Sequence, residues 1–427
     1  MSEELLPLSI DSLAFGGAGV GRSDGKVVFV PNTFPGDVAL VKISKWKKNF
    51  GEGDLATLQT PSPLRRTPVC TYVNDCGGCP WMPLEYAAQL DWKRKIVSGQ
   101  LAHIGGINVE VSPTAPSPME YGYRTRVRLK TSVHYGAFKI GYCKPKSHDI
   151  VEIEKCAVAC EPINKMIPEV RRYMAGAPEI SAIVNTVKFE TGYPPGKGRV
   201  TIDAEGAVPP AWLSGLLEAC PSVAGAVALN GRDLTARGET ELETDCSDGM
   251  VLKTGPALFS QVNPSANLAL IEKINRLASL APGMRVLDLF CGTGNLTFPL
   301  AKSGAFLTGV EFAESSVDAA RLNGGRLGMG NAEFIRGDAG KMARTMARDG
   351  RRFDVVILDP PRGGATGLAK TLALFAPKKV VYVSCYPPTL ARDAAEMAKE
   401  GFRLESVEPL DMFPHTAHVE SVSLFMK

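Results

Sequence analysis

The chain has 427 residues, 48 lysines and arginines against 45 aspartates and glutamates, and a formal net charge of +3. That length exceeds one ordinary core and predicts two or three domains, while so small a net charge excludes a chain held to its partners by bulk charge alone. Ten cysteines, an acidic start at Met1-Ser2-Glu3-Glu4, and no run approaching the ~20 apolar residues that cross a bilayer predict a cytoplasmic protein without membrane contact, whose thiols serve metal binding or thiol chemistry rather than disulfides.

The first ~60 residues read as short strands with glycine turns, the pattern of a small barrel. Residues 8–13, the turn Gly16-Gly17-Ala18-Gly19, Lys26–Val30 and residues 37–43 carry it, and Pro61-Ser62-Pro63 ends it. Lys42, Lys45, Lys47 and Lys48 surround Trp46. Further on, Arg124, Arg126, Arg128 and Lys130 alternate along an extended segment, so they form one row of cations on a strand face. Such a row suits a phosphate backbone, and a solvated sheet face is the equal alternative.

Between these two basic features lies Cys70-x5-Cys76-Gly77-Gly78-Cys79, with Cys156 and Cys160 downstream. The two glycines let the backbone fold tightly enough for Cys76 and Cys79 to converge. Four thiolates can hold zinc or an iron–sulfur cluster, and spacing does not choose between them. Cys143, Cys220, Cys246 and Cys291 read as ordinary small residues. The middle region continues with strand-like runs at 200–203 and 226–229.

From about Gly255 onward, strands alternate with helices. Segments 285–290, 305–311, 332–338, 353–359, 378–385, 402–410 and 419–426 are apolar enough for strands. Helical stretches separate the first six, which predicts a mostly parallel, doubly wound α/β sheet. No helix separates the last two, so the final strand is expected to pair antiparallel.

The first of these strands runs into Phe290-Cys291-Gly292-Thr293-Gly294-Asn295, with Thr297 where a dinucleotide site has its third glycine. Glu311 ends the second strand, suited to ribose hydroxyls, and Asp338 ends the third, suited to an adenine amino group. This trio resembles S-adenosylmethionine-dependent methyltransferases. The fourth strand ends in Asp359-Pro360-Pro361-Arg362. Enzymes that methylate exocyclic amines place an aromatic ring where Arg362 stands, which disfavours that acceptor.

Uracil carbon 5 is a poor nucleophile. A thiolate adding to carbon 6 activates it, and a base must then remove the carbon 5 proton before the thiol can leave. Cys385, at the end of the fifth strand before a helix N-terminus, is the candidate thiol, with a pKa expected below its usual ~8.5. Glu420, early in the last strand, is the candidate base. His415 and His418 either orient it or cap the turn.

The segments Ser384-Cys385-Tyr386-Pro387-Pro388-Thr389-Leu390-Ala391-Arg392-Asp393 and Pro414-His415-Thr416-Ala417-His418-Val419-Glu420-Ser421 resemble the two signatures of the RNA 5-methyluridine methyltransferase family. The resemblance implies Cys385 as nucleophile and Glu420 as proton acceptor. It puts the S-adenosylmethionine contacts on Gln261, Phe290, Asn295, Glu311, Asp338 and Asp359, where Phe290 replaces a common tyrosine and Gln261 and Asp359 can also reach the uracil. It implies a [4Fe–4S] cluster on Cys70, Cys76, Cys79 and Cys156, the last preferred over Cys160. It also likens residues 1–62 to a TRAM barrel of the oligonucleotide-binding type. Residues 63–257 then form a central α+β iron–sulfur and RNA-binding domain, of which 93–119 can pack with the catalytic domain at 258–427. The function implied is methylation of uracil carbon 5 in RNA, foremost 23S ribosomal RNA, with no obligate protein partner. Transfer RNA as substrate, and a non-catalytic iron–sulfur RNA-binding protein, are the rivals.

Overall fold

The computed structural model describes residues 5–134, 137–247 and 249–427. Its amino-terminal strands are β1 (Leu5–Leu13), β2 (Gly19–Ser23), β3 (Lys26–Val30), β4 (Val38–Trp46) and β5 (Phe50–Thr60). They close into a barrel of order β1-β2-β3-β5-β4. Alternate residues Leu8, Ile10, Val28, Val30, Ala39 and Val41 fill it, as the period of two requires. The sequence reading did not delimit β5, because its early inward positions, Gly51 and Gly53, carry no apolar side chain. A Cβ on Gly51 would lie 2.7 Å from the Trp46 ring, so the glycine makes room for the tryptophan.

Helix α1 (Tyr86–His103) follows and leads to a seven-stranded central sheet. Its elements are β6 (Arg126–His134), β7 (Ala137–Cys143), β8 (Ile150–Glu152), α2 (Glu161–Ala175), α3 (Pro178–Ala182), β9 (Val184–Thr191), β10 (Gly198–Ala204), α4 (Pro210–Ala219), β11 (Val223–Asn230) and β12 (Asp233–Gly238). The strand order is β12-β11-β10-β9-β6-β7-β8. Ile163, Met166 and Ile167 of α2 and Leu213 and Leu216 of α4 share a core with Val127, Leu129 and Phe189 of the sheet. On β6, Val127 and Leu129 face this core, so Arg126, Arg128 and Lys130 point the other way. A hairpin, β13 (Leu242–Ser247) and β14 (Met250–Thr254), then packs on α5 (Pro264–Ala278).

The remaining elements are β15 (Arg285–Leu289), α6 (Thr297–Ala301), β16 (Phe306–Glu311), α7 (Glu314–Leu327), β17 (Ala332–Arg336), α8 (Ala339–Arg348), β18 (Val355–Leu358), α9 (Ala369–Phe375), β19 (Lys379–Ser384), α10 (Pro387–Lys399), β20 (Arg403–Leu410) and β21 (Glu420–Met426). They build a sheet of order β17-β16-β15-β18-β19-β21-β20. The first five strands in that order are parallel, and β21 is antiparallel to both neighbours. The doubly wound sheet and its reversed last strand thus follow the sequence pattern, with β21 inserted between β19 and β20. Every residue of β18, and all of β19 after Lys379, is buried, because helices cover both faces. One core lies on each side of the sheet.

Helix α1 belongs spatially to this last unit. Val97 and Leu101 join the core beside Leu390, Ala391 and Ala394 of α10. The chain after it runs along β20, with parallel bridges Val111 to Val407 and Ala115 to Leu410. A fully buried ion pair, Lys93 Nζ to Asp411 Oδ1 at 2.5 Å, ties α1 to the segment after β20, and Lys93 also donates to the Phe413 carbonyl at 3.1 Å.

Candidate active site

Two cavities lie at the carboxyl ends of the parallel strands, where open α/β sheets bind ligands. The first is walled by Gln261, Asn267, Phe290, Asn295 and Asp359 together with the Gly292-Thr293 turn. The turn after β15 is tight: Phe290 adopts φ +68, Gly292 +54 and Gly294 +91. Positive φ in a bulky aromatic residue is strained backbone, which persists where the surroundings enforce it. Here the amides of Phe290 and Cys291 both donate to the Val310 carbonyl, at 2.9 and 3.2 Å. A Cβ on Gly294 would lie 2.3 Å from the Phe298 ring, so the turn admits no side chain at that point.

Of the six residues singled out for the methyl donor, Gln261, Phe290, Asn295 and Asp359 line this cavity. Glu311 and Asp338 do not; they stand beside it at the ends of β16 and β17. Glu311 accepts from the Gly292 amide at 3.2 Å and the Ala313 amide at 2.8 Å. Asp338 is exposed and caps α8 by accepting from the Lys341 amide at 2.9 Å. Two further residues escaped the sequence reading. Asn267 exchanges amide hydrogen bonds of 2.9 Å with Asn295 in both directions, fixing the orientation of the latter. Asp288 lies fully buried in β15, accepts from the Thr297 hydroxyl at 2.5 Å, and has no partner at Oδ1. Burial pushes its carboxyl up to about 7. An aspartate inside the apolar run Val286-Leu287-Asp288-Leu289 was the available signal. Cys246 and Cys291, read as ordinary residues, also reach the cavity wall.

The second cavity is lined by Cys385, Tyr386, Arg362 and the 416–419 segment, by Phe15 and Gly16 of the barrel, and by Gly77, Gly78 and Pro80 of the cysteine-rich loop. Three acidic or thiol groups meet beneath it. Ser384 pairs with Ser421 across β19 and β21, so Cys385 and Glu420 continue that register opposite each other. Asp359 follows the adjacent β18. Burial, then the Asp359 carboxylate, pushes Glu420 well above the ordinary carboxylate range, and burial alone raises Asp359 to about 7.

The expectation of a lowered Cys385 pKa is corrected by this arrangement. The thiol is pushed up to about 11, first by burial, then by Glu420 and Asp359, with Arg362 opposing. Loss of hydration and two neighbouring carboxylates outweigh whatever the start of α10 contributes.

The two histidines differ. His415, with φ +68, is fully buried, stacks on Tyr121 with ring centres 4.6 Å apart, and has Nε2 2.9 Å from the Glu120 carbonyl. Its amide donates to Gln89 Oε1 at 2.9 Å and its carbonyl accepts from the Trp81 amide at 2.9 Å. It pins the segment before β21 to the rest of the protein. His418 is exposed at the rim of the second cavity.

Cys70, Cys76, Cys79 and Cys156 line one further cavity, with Tyr142, Arg124 and Lys155. Cys160 does not line it; it is buried at the start of α2. Burial raises Cys76, and raises Cys79 to about 12, the other thiols adding to both and Arg124 opposing. Among the described residues, no group of three or more His, Cys, Asp or Glu side chains is arranged to hold a metal ion. Arg124 and Lys155 place two cations in the lining of this cavity. Arg124 also lines the second cavity.

Of the basic features, Arg126 adjoins the wall of the first cavity through Phe259. Arg126 lies over the Phe259 ring at 5.1 Å. Trp46 is 49% exposed, with Lys26 over it at 5.6 Å. No helix among the described residues is long and apolar enough to cross a membrane.

Comparison with known proteins agrees with the geometry. The family described as tRNA (Uracil-5-)-methyltransferase matches residues 248–427, and the TRAM domain matches residues 4–56. The chain is 32% identical to a protein of Alcanivorax borkumensis named 23S rRNA (uracil(1939)-C(5))-methyltransferase RlmD, over 99% of this chain and 96% of the relative. It is 32% identical to one of the same name from Alkalilimnicola ehrlichii, covering 100% and 98%. A Pyrococcus abyssi tRNA (uracil-54, C5)-methyltransferase, solved in complex with S-adenosyl-L-homocysteine, superposes with a TM-score of 0.78 at 27% identity, covering 99% of this chain and 100% of that one.

Proposed function

Since the chain belongs to the RNA uracil-5-methyltransferase family and is an S-adenosylmethionine-dependent enzyme of that kind, we propose that it methylates carbon 5 of a uridine in 23S ribosomal RNA, in the cytoplasm, through covalent participation of Cys385. The observation that carries this reading is the meeting of Cys385, Glu420 and Asp359 between two cavities. One cavity is bounded by the glycine turn of a doubly wound sheet, and the other opens toward the barrel.

S-adenosylmethionine supplies an electrophilic methyl group. Gln261, Phe290, Asn295 and Asp359 would hold it in the first cavity, with Glu311 and Asp338 reaching its ribose and adenine from the neighbouring strand ends. On the acceptor side, Cys385 Sγ bonds to carbon 6 of the uracil, which places negative charge on carbon 5 and its carbonyl neighbour. Arg362 favours the sulfur's ionised form. After the methyl is gained, the carbon 5 proton passes to the Glu420 carboxylate, the carbon–sulfur bond breaks, and the thiolate is restored. A carboxylate held above its ordinary range is the stronger base once ionised, which suits Glu420 to this task.

The four cysteines Cys70, Cys76, Cys79 and Cys156 would hold a [4Fe–4S] cluster. Their lining of one shared cavity, with Arg124 and Lys155 beside them, supports this reading. The methyl transfer uses no electron, so the cluster's role is to shape the loop at 76–80 that walls the acceptor cavity.

The test is incubation of anaerobically purified protein with methyl-labelled donor and unmodified ribosomal or transfer RNA, with Cys385→Ala in parallel, followed by nucleoside analysis. Label in 5-methyluridine from ribosomal RNA, lost in the variant, is the expected result. Label from transfer RNA alone would transfer the assignment to the substrate class named for the Pyrococcus enzyme, and label unaffected by Cys385→Ala would refute the covalent route.

A further inference from the structure

The barrel contributes to the reacting site as well as to RNA capture. The turn between β1 and β2 is closed by hydrogen bonds from the Ala14 amide to the Ala18 carbonyl and from the Gly17 amide to the Ala14 carbonyl, both 2.9 Å. The fully buried Trp81 donates through Nε1 to the Gly17 carbonyl at 3.0 Å. Gly17 lies so close to the segment leading into Glu420 that a Cβ there would sit 2.8 Å from Ala417 Cβ. The turn is therefore seated on the catalytic unit by its glycine, independently of the side chain at position 15.

That side chain projects into the acceptor cavity. Phe15 remains 36% exposed and meets Tyr386 edge to face, with ring centres 5.0 Å apart and planes at 87°. Both rings line the same cavity as Cys385, and Tyr386 is its chain neighbour. The Tyr386 amide is held by Ser384 Oγ at 3.2 Å. Beyond its contact with Tyr386, the ring keeps an apolar face open at the mouth of a polar cavity. It offers a stacking face to a base withdrawn from its own stack.

Resting on the function proposed above, we infer that Phe15 and Tyr386 form an aromatic clip that takes up the extruded pyrimidine of the RNA by stacking and presents it to Cys385. The barrel thereby helps to hold the reacting base, in addition to binding backbone. Phe15 is a substrate-contacting residue from a domain remote in sequence.

The experiment compares wild type with Phe15→Ala, Phe15→Leu and Phe15→Tyr. It measures methylation rate at saturating and limiting 23S RNA, RNA affinity by filter binding without donor, and melting temperature. Base stacking on an aromatic ring corresponds to roughly tenfold to a hundredfold per base on removal. A loss of that size in kcat is expected for Phe15→Ala and Phe15→Leu, with near-native rates for Phe15→Tyr and RNA affinity and melting temperature little changed. Wild-type rates in Phe15→Leu would overturn the inference, since apolar bulk alone would then suffice. So would a loss of RNA affinity matched by a fall in melting temperature, the mark of barrel packing. Absence of wild-type turnover would refute the proposed function and the inference with it, whereas wild-type turnover with undiminished Phe15→Ala turnover would refute the inference alone.

Discussion

A thiol titrating at about 11 rather than 9 has a definite consequence for chemical reactivity. At pH 8 about one molecule in a thousand carries the Cys385 thiolate, against about one in ten for an ordinary thiol, so alkylation falls roughly a hundredfold. Restricted access also slows a half-buried sulfur, so the pH profile decides, not the absolute rate. Iodoacetamide labelling of the Cys385 peptide, followed by mass spectrometry under anaerobic conditions, is expected to rise about tenfold per pH unit from 7 to 10 without levelling. Glu420→Gln removes the larger of the two carboxylate contributions and is expected to raise the rate several-fold at pH 9, where the wild-type carboxyl opposes ionisation. Burial, the largest cause, persists, so the variant stays slower than a free thiol. A labelling curve that levels below pH 9 in the wild type would refute the electrostatic account of this site. Under that account turnover rises with pH over the same range, because both the nucleophile and its base are more often ionised.

Glu420→Gln is also expected to accumulate an RNA adduct visible on denaturing gels in the presence of donor, because the proton whose loss releases the thiol has no acceptor; no adduct would remove Glu420 from the role of base. Lys93→Met leaves Asp411 buried without its cation and is expected to cost ~3–5 kcal/mol in urea unfolding, most of it recovered when Asp411→Leu is added. Asp288 ionises near 3.8 in the unfolded chain and near 7 when folded. The stabilisation from burying it neutral is complete below pH ~4 and is lost as pH rises to 7, a total of about 4 kcal/mol at about 1.4 kcal/mol per pH unit. Asp288→Asn is expected to gain that amount at pH 8 and almost nothing at pH 4; a pH-independent difference would contradict it. Cys156→Ser is expected to abolish iron binding in anaerobically purified protein and Cys160→Ser to leave it intact, as read by iron content and visible absorbance.

The catalytic sheet was legible because its central strands β18 and β19 are buried on both faces and so appear as apolar runs between helices. Glu420 was legible from its place early in the last strand and from the signatures, while the register that sets it opposite Cys385 is fixed by the pairing of β19 with β21, in which Ser384 meets Ser421. Electrostatics was the least legible layer. A helix start beside a cysteine suggested a lowered pKa, but burial reverses it, and the carboxylates that add to the reversal arrive from two other strands. Asn267 and Phe15 were missed for a similar reason: one acts by orienting Asn295, and the other reaches the site from a different domain.

The attachment of α1 to α10, with Val111 and Ala115 bridging β20, sets the order in which a growing chain can mature. The apolar side of α1, made early, must wait through nearly three hundred residues of synthesis for Leu390 and Ala394. Lys93 waits longer still for Asp411. A fragment cut at residue 258 would strip the sheet edge of this strap and expose Leu410 and Val407, so the catalytic unit is not expected to be separable by truncation. Until α10 and β21 have been made, the early helix is an apolar surface that chaperones would have reason to hold.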